Sequence, residues 1–306
     1  MKIVFMGSST FAIPSLRILK QARYEVQAVY SQPPRKAGRG KSYKEVPLAE
    51  FALSQGLKLE QPRSFNNPNV VAKLKDYNPD FLVVVAYGLI LPREVLEIPK
   101  EFSINVHGSF LPHWRGAAPI NHVIFNRDPF TGVSIIKMNE ELDAGPILRQ
   151  EKVMLDHTET FGSLHQALSE LGAKNLLETL NNINANKEML QNDRLVTYAP
   201  KIKKSDTRLD FNQQASVLEA TVRGLAPTPG AWFEYKNERF KVFSAEVVEG
   251  RGKAGLIINE NLTIACGNKA LNILEIQRQG KSIMSVSDLI RGFKFKKGNQ
   301  VNQSTH

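Results

Sequence analysis

Four compact apolar runs, "KIVFMG" (2–7), "VQAVYS" (26–31), "FLVVVA" (81–86) and "SINVH" (103–107), alternate with segments whose apolar residues recur at helical spacing. The helical segments fall at 12–21, where Ile13, Leu16 and Leu19 share a face, and near 46–55 and 67–76. Short runs that are apolar throughout are strands buried on both faces, and their alternation with helices predicts a parallel sheet covered on each side. "GVSIIKM" (132–138) and "PILRQEKVML" (146–155) read as further strands, followed by a helix over 161–184 with Thr158 or Thr160 as its cap. The first part of the chain is therefore an open α/β layer.

The pattern changes near residue 197. "TYAPKIKKSDTRLD" (197–210) combines proline, clustered lysines and little apolar periodicity, which reads as a linker. Beyond it come a helix near 213–225 and short strand-like runs at 231–235, 239–248, 254–258, 261–265 and 270–276, the pattern of a small β barrel. A chain of 306 residues accommodates two domains. The expected division is 1–196, a linker over 197–209, and 210–306.

The only cysteine is Cys266, so an intrachain disulfide and a thiolate metal site are both excluded. No apolar stretch approaches a membrane span, and the N-terminus reads as that of a mature cytosolic protein. A formal net charge of +10 favours polyanionic partners without specifying a fold. The "GSST" loop (7–10) joins a strand to a helix but lacks the glycine spacing of nucleotide-binding loops, so it reads as a structural turn.

The chemistry-bearing stretch is "INVHGSFLPHWRGAAPI" (104–120). On a strand, residues two apart share a face, so Asn105 and His107 are expected to point together at a carboxyl end, where open α/β sheets bind their ligands. An asparagine amide donates to a developing oxyanion, and a histidine accepts or delivers a proton. Asp143, in the turn "ELDAGPIL", is the acidic group best set to orient the imidazole. Such a trio needs neither a metal nor a covalent nucleophile. "SFLP" supplies a turn stiffened by Pro112, and "WRGAAP" offers Arg115 on a loop whose small residues permit close approach to a ligand.

Taken with "VVVAYGLILP" (83–92), these motifs closely resemble those of the methionyl-tRNA formyltransferases, within the broader folate-dependent formyltransferases. The likeness spans essentially the whole chain, including the basic loop "QPPRKAGRGK" (32–41). It implies an open Rossmann-like α/β domain, mainly parallel, followed by a small OB-like β-barrel domain. It implies transfer of formyl from 10-formyltetrahydrofolate to the α-amino group of methionyl initiator tRNA, with no metal. Asn105, His107 and Asp143 fall on the family's catalytic positions, where they would stabilise the tetrahedral intermediate of direct amine attack and move protons. Ser109, Phe110, Leu111 and Pro112 fall on its folate signature, with phenylalanine at 110 where leucine is commoner. Tyr87, Gly88, Leu89 and Ile90 would lend backbone groups to the pterin.

The same resemblance places the 33–41 loop at the tRNA acceptor end through Arg39, with Arg35, Lys36 and Lys41 around it. Lys201, Lys203 and Lys204 add cations suited to phosphate contact. In "RGFKFKKG" (291–298), Phe293 and Phe295 alternate with cations and read as an edge strand or tail, and Trp232 reads as barrel core. The expected protein is a cytoplasmic monomer that does not engage membranes. Three alternatives remain open: a formyltransferase acting on an amino-sugar nucleotide or other small amine, a formyltetrahydrofolate hydrolase, and a non-catalytic RNA-binding protein.

Overall fold

The computed structural model describes residues 1–37, 42–185 and 187–302. They group into two compact units, the first comprising Met1–Pro119, Thr131–Val153 and His165–Ala199. The second comprises Ile120–Phe130, Met154–Leu164 and the chain from Pro200 onward.

Through Ala199 the strands are β1 (Lys2–Gly7), β2 (Glu25–Tyr30), β3 (Arg35–Ala37), β4 (Ser42–Lys44), β5 (Leu59–Glu60), β6 (Phe81–Val85), β7 (Phe102–His107), β8 (Arg115–Gly116), β9 (Phe130–Lys137), β10 (Ile147–Met154) and β11 (Tyr198–Ala199). Among the described residues, seven of them form one sheet in the order β10-β9-β7-β6-β1-β2-β5. The pairs β5–β2, β2–β1, β1–β6 and β6–β7 are parallel, and β9 runs antiparallel to β7. All five residues of β6 are buried, as a central strand covered on both faces requires.

Helices α1 (Ile13–Gln21), α2 (Pro47–Ser54) and α3 (Pro68–Asp76) follow the predicted periodicities. Asn67 caps α3 by accepting a hydrogen bond from Asn69 N at 3.0 Å, and Pro68 opens the helix with its φ already set. Helices α4 (Arg93–Leu96), α5 (Pro119–Phe125) and α6 (Phe161–Asn181) complete this part of the chain. Of the two threonines offered as caps for α6, Thr160 takes the role, with Ser163 N donating to its Oγ1 at 3.2 Å.

The chain builds outward from β1 to β2 and β5, then returns to the other side of β1 as β6. That reversal puts the topological switch point at the carboxyl ends of β1 and β6, the position where open sheets of this type hold ligands. Gly7 ends β1 there, and a Cβ on it would lie 2.7 Å from Val85 O and 2.8 Å from Ala12 Cβ. Close packing of strand and helix accounts for this glycine, in keeping with the structural-turn reading.

In the second unit, α7 (Ala215–Leu225) precedes β12 (Ala231–Tyr235), β13 (Glu238–Val248), β14 (Thr263–Ala265), β15 (Ala270–Arg278), β16 (Met284–Ser285) and α8 (Val286–Leu289). The strands form an antiparallel sheet in the order β12-β13-β15-β14, with β16 added to β15. Along β12, burial alternates, so Ala231, Phe233 and Tyr235 face the core while Trp232 and Glu234 face outward. The run 254–258 is not a strand; it is a turn in which Ile257 bridges to Ile264 and Leu256 to Gln300.

Two aromatic readings are corrected here. Trp232 is not core: strand alternation turns it outward, where its Nε1 donates to Thr207 Oγ1 at 2.9 Å and the Arg239 guanidinium lies 3.8 Å from its ring. Phe293 and Phe295 belong neither to an edge strand nor to a loose tail. Each lies 5.3 Å from Phe240, ring centre to ring centre, and Phe295 is only 3% exposed. The predicted linker is also more ordered than its composition suggests, for Tyr198–Ala199 pairs with β8 and Leu209 is buried in the second core.

Candidate active site

Strand β7 aligns Asn105 opposite Val84 of β6 and His107 opposite Ser134 of β9. Held between two neighbours, β7 gives the two side chains the common face that their spacing predicted. Asp143 reaches them from the turn between β9 and β10. Asn105 Nδ2 donates to Asp143 Oδ1 at 3.1 Å, and His107 Nδ1 stands 3.5 Å from Asp143 Oδ2. His107 is 5% exposed, and the Asp143 side chain is 12% exposed. The three predicted residues are thus brought together in a largely desiccated setting, where electrostatic interactions are stronger than in water.

The hydrogen bonds define what each group offers. His107 Nε2 lies 2.9 Å from the carbonyl oxygen of Trp114, an acceptor, so this nitrogen carries a proton. Nδ1 then faces the Asp143 carboxylate across 3.5 Å. Asp143 Oδ2 also accepts the Gly116 backbone N–H at 2.8 Å. Asn105 must direct its amide nitrogen at the carboxylate, and that nitrogen retains a second hydrogen for another acceptor.

The "SFLP" turn is fastened from both sides. Ser109 Oγ donates to His113 O at 2.6 Å, Ser134 Oγ donates to Ser109 O at 2.7 Å, and Leu111 N donates to Ser134 Oγ at 3.0 Å. Gln150 Nε2 donates to Leu111 O at 2.8 Å. The Leu111–Pro112 peptide is cis, Leu111 is buried and Phe110 is partly exposed, with Lys152 Nζ 5.1 Å from its ring. At the end of β6, Tyr87 is anchored rather than presented. Its carbonyl accepts from Ser8 Oγ at 2.9 Å and Gln32 Nε2 at 2.8 Å, and burial pushes its phenol well above the ordinary value. Gly88 takes a φ of 75°, which turns the chain so that Ile90 stands 93% exposed. Leu89 is half-buried against the core.

Arg115 corrects a prediction. It does not present itself to a ligand: it is 5% exposed, its Nε donates to Gln191 Oε1 at 3.0 Å, and its guanidinium reaches Asp193 at 3.5 Å. Gln191 had no sequence signal, since its partners lie 46 to 76 residues away.

Of the basic residues, Arg35 and Lys36 are exposed on β3, which pairs antiparallel with β4. The Arg35 side chain contacts Gln32 Oε1, and Lys36 Nζ lies 5.7 Å from the ring of Tyr43. Arg39 and Lys41 lie outside the described residues. Lys201, Lys203 and Lys204 are exposed in the second unit, where Lys203 N donates to Asp206 at 2.8 Å.

Residues 1–180 match the formyl transferase family, and residues 201–294 match the C-terminal domain of formyl transferases. The chain belongs to the formyl transferase family. It is 40% identical over 301 residues to the methionyl-tRNA formyltransferase of Ruegeria pomeroyi, covering 98% of this chain and 100% of that protein. It is 42% identical over 301 residues to the methionyl-tRNA formyltransferase of Paramagnetospirillum magneticum, covering 97% and 99%. Its fold is similar to that of HypX from Aquifex aeolicus, solved in complex with tetrahydrofolic acid, with a TM-score of 0.64 at 18% identity over 99% of this chain and 51% of that one. In this formyl transferase, Asn105, His107 and Asp143 fall within the first matched region and the three linker lysines within the second. Among the described residues, no helix is long and apolar enough to cross a membrane.

Proposed function

We propose that this chain transfers the formyl group of 10-formyltetrahydrofolate to the α-amino group of methionyl initiator tRNA, giving formylmethionyl-tRNA for translation initiation. The observation that carries this reading is the convergence of Asn105 and His107 on the Asp143 carboxylate, at 3.1 and 3.5 Å, in a chain 40–42% identical over nearly its whole length to methionyl-tRNA formyltransferases. The folate supplies an electrophilic formyl group, held by Gly88, Leu89, Ile90 and the 109–112 turn, with Tyr87 fixing the strand end. An α-amine titrates at about 7.7 to 8.0, so a useful neutral fraction exists at physiological pH. Asn105 directs its remaining N–H to the formyl oxygen, where negative charge develops as the amine attacks. His107 adds positive charge there and moves the proton between amine and leaving group, and Asp143 keeps its ring oriented.

Division of labour follows the chain: catalysis by residues 1–196, tRNA binding by 210–306, and a basic connection over 197–209. Arg35, Lys36, Arg39 and Lys41 would meet the acceptor end, and Lys201, Lys203 and Lys204 the phosphates. The protein acts as a monomer in the cytoplasm. The deciding experiment follows labelled formyl from 10-formyltetrahydrofolate to initiator methionyl-tRNA, elongator methionyl-tRNA and free methionine, using wild type, His107→Ala and Arg39→Ala. Transfer to the initiator alone, abolished in the first variant and reduced in the second, supports the proposal. Formate release, or transfer only to a small amine, would keep the site and change the acceptor.

A further inference from the structure

Between the regions that match the two family domains lies a segment that neither covers, and it touches the candidate site twice. Gln191 Nε2 donates both its hydrogens to backbone carbonyls of the Asp143 turn, reaching Asp143 O and Gly145 O at 2.8 Å each. Its Oε1 accepts from the buried Arg115, whose chain neighbour Gly116 donates to the Asp143 carboxylate at 2.8 Å. Asp143 itself holds a left-handed φ of 51°, a conformation that a non-glycine residue keeps only when its surroundings impose it. The Asp143 backbone is thus clamped from one end and its carboxylate from the other, with Arg115 joining the two clamps.

Thr197 performs the equivalent service for the histidine. Its Oγ1 accepts the Trp114 N–H at 2.9 Å, and its carbonyl accepts the Arg115 N–H at 2.9 Å. Trp114 also sits in left-handed backbone, at φ 64°, and its carbonyl oxygen receives His107 Nε2. That carbonyl holds the ring by its Nε2 edge, and so sets the edge that faces Asp143.

We propose that Gln191 and Thr197 are positioning residues for the formyl transfer reaction: Gln191 sets the Asp143 turn, and Thr197 sets the carbonyl that fixes the His107 ring. The inference rests on the catalytic reading of Asp143 and His107. Neither residue touches substrate; each acts through a backbone group of the 111–116 or 143–145 segments.

The test compares the full-length wild type with Gln191→Ala, Gln191→Glu, Thr197→Val and Thr197→Ser. Readouts are kcat, KM for initiator methionyl-tRNA and for 10-formyltetrahydrofolate, the pH profile of kcat, and the ¹⁵N resonances of the His107 ring. Expected are losses in kcat of about tenfold to a hundredfold in Gln191→Ala and Thr197→Val with KM within about threefold, the scale of a small misplacement of catalytic groups. Thr197→Val also moves the pH profile and the His107 ring resonances, whereas Thr197→Ser, which keeps the hydroxyl, restores both. Gln191→Glu retains the side-chain shape but loses the donors, so it serves where the alanine variant folds poorly, and its kcat should fall likewise. Wild-type kcat, pH profile and ring resonances in these variants, beside an inactive His107→Ala, would overturn the inference and leave the catalytic reading standing. Full activity in His107→Ala would overturn that reading instead.

Discussion

Gly116 donates its backbone N–H to Asp143 Oδ2 at 2.8 Å while holding a φ of 122°, so a residue that contributes no side chain sets the orientation of the acidic member of the trio. A Cβ on Gly116 would lie 2.8 Å from Ala199 O, a backbone atom fixed by the β8–β11 pairing. Gly116→Ala should therefore push the amide away from Asp143. We expect kcat to fall by about tenfold to a hundredfold with smaller changes in KM, measured by single-turnover formyl transfer.

Asp143→Asn keeps the shape of the side chain but replaces one acceptor oxygen with an amide nitrogen. That nitrogen would face either the Gly116 N–H or Asn105 Nδ2, both of which are hydrogen-bond donors in this arrangement. Turnover should drop on the order of 10²- to 10⁴-fold, as when a histidine loses the carboxylate that orients it. Activity within about twofold of wild type would remove Asp143 from the mechanism.

Lys203 and Lys204 are exposed, and Trp232 holds the turn that follows them by donating to Thr207 Oγ1, whose own hydroxyl donates to Lys204 O. If these lysines meet phosphates, alanine at both should lower the slope of log affinity against log salt by about one for each contact removed. Filter binding of initiator tRNA between low and moderate salt reads this directly. The KM for the folate should not change.

Burial pushes the Cys266 thiol from its ordinary value of 9.0 up to about 11. The folded protein therefore holds this proton more tightly than the unfolded chain. The resulting stabilisation is present in full below pH 9 and is lost as pH rises through 11. Between these limits, wild type should lose about 2 to 3 kcal/mol more unfolding free energy than Cys266→Ala, as denaturant titrations at several pH values would show.

Phe240 is fully buried and packs against Phe233, Phe293 and Phe295 at ring separations of 5.7, 5.3 and 5.3 Å. Phe240→Ala should destabilise the second unit by about 3 to 5 kcal/mol. Calorimetry of the full chain would register the loss as an earlier unfolding transition.

Local pattern carried much of this architecture. A continuous apolar run made β6 readable from "FLVVV", helical spacing of apolar residues marked α3, and period-two alternation placed Asn105 beside His107. The same alternation, applied to "AWFEY", turns Trp232 outward, against the core reading. Phe293 and Phe295 misled in the other direction, because a phenylalanine at every second position imitates a strand even where the chain turns. Gln191, Thr197 and the buried Arg115 were illegible for a different reason. Their roles depend on hydrogen bonds across 46 to 83 residues, to groups that every residue possesses, so no local spacing announces them.

Strand β7 is an interior strand, bonded to β6 on one side and β9 on the other. Backbone amides of such strands exchange with solvent only when much of the sheet opens. Asn105 and His107 therefore share the lifetime of the fold itself. As temperature rises, their alignment should persist up to global melting, while the surrounding turns loosen earlier. Heat inactivation that precedes melting would then originate at the Asp143 turn, and formyl transfer would recover as soon as that segment refastens.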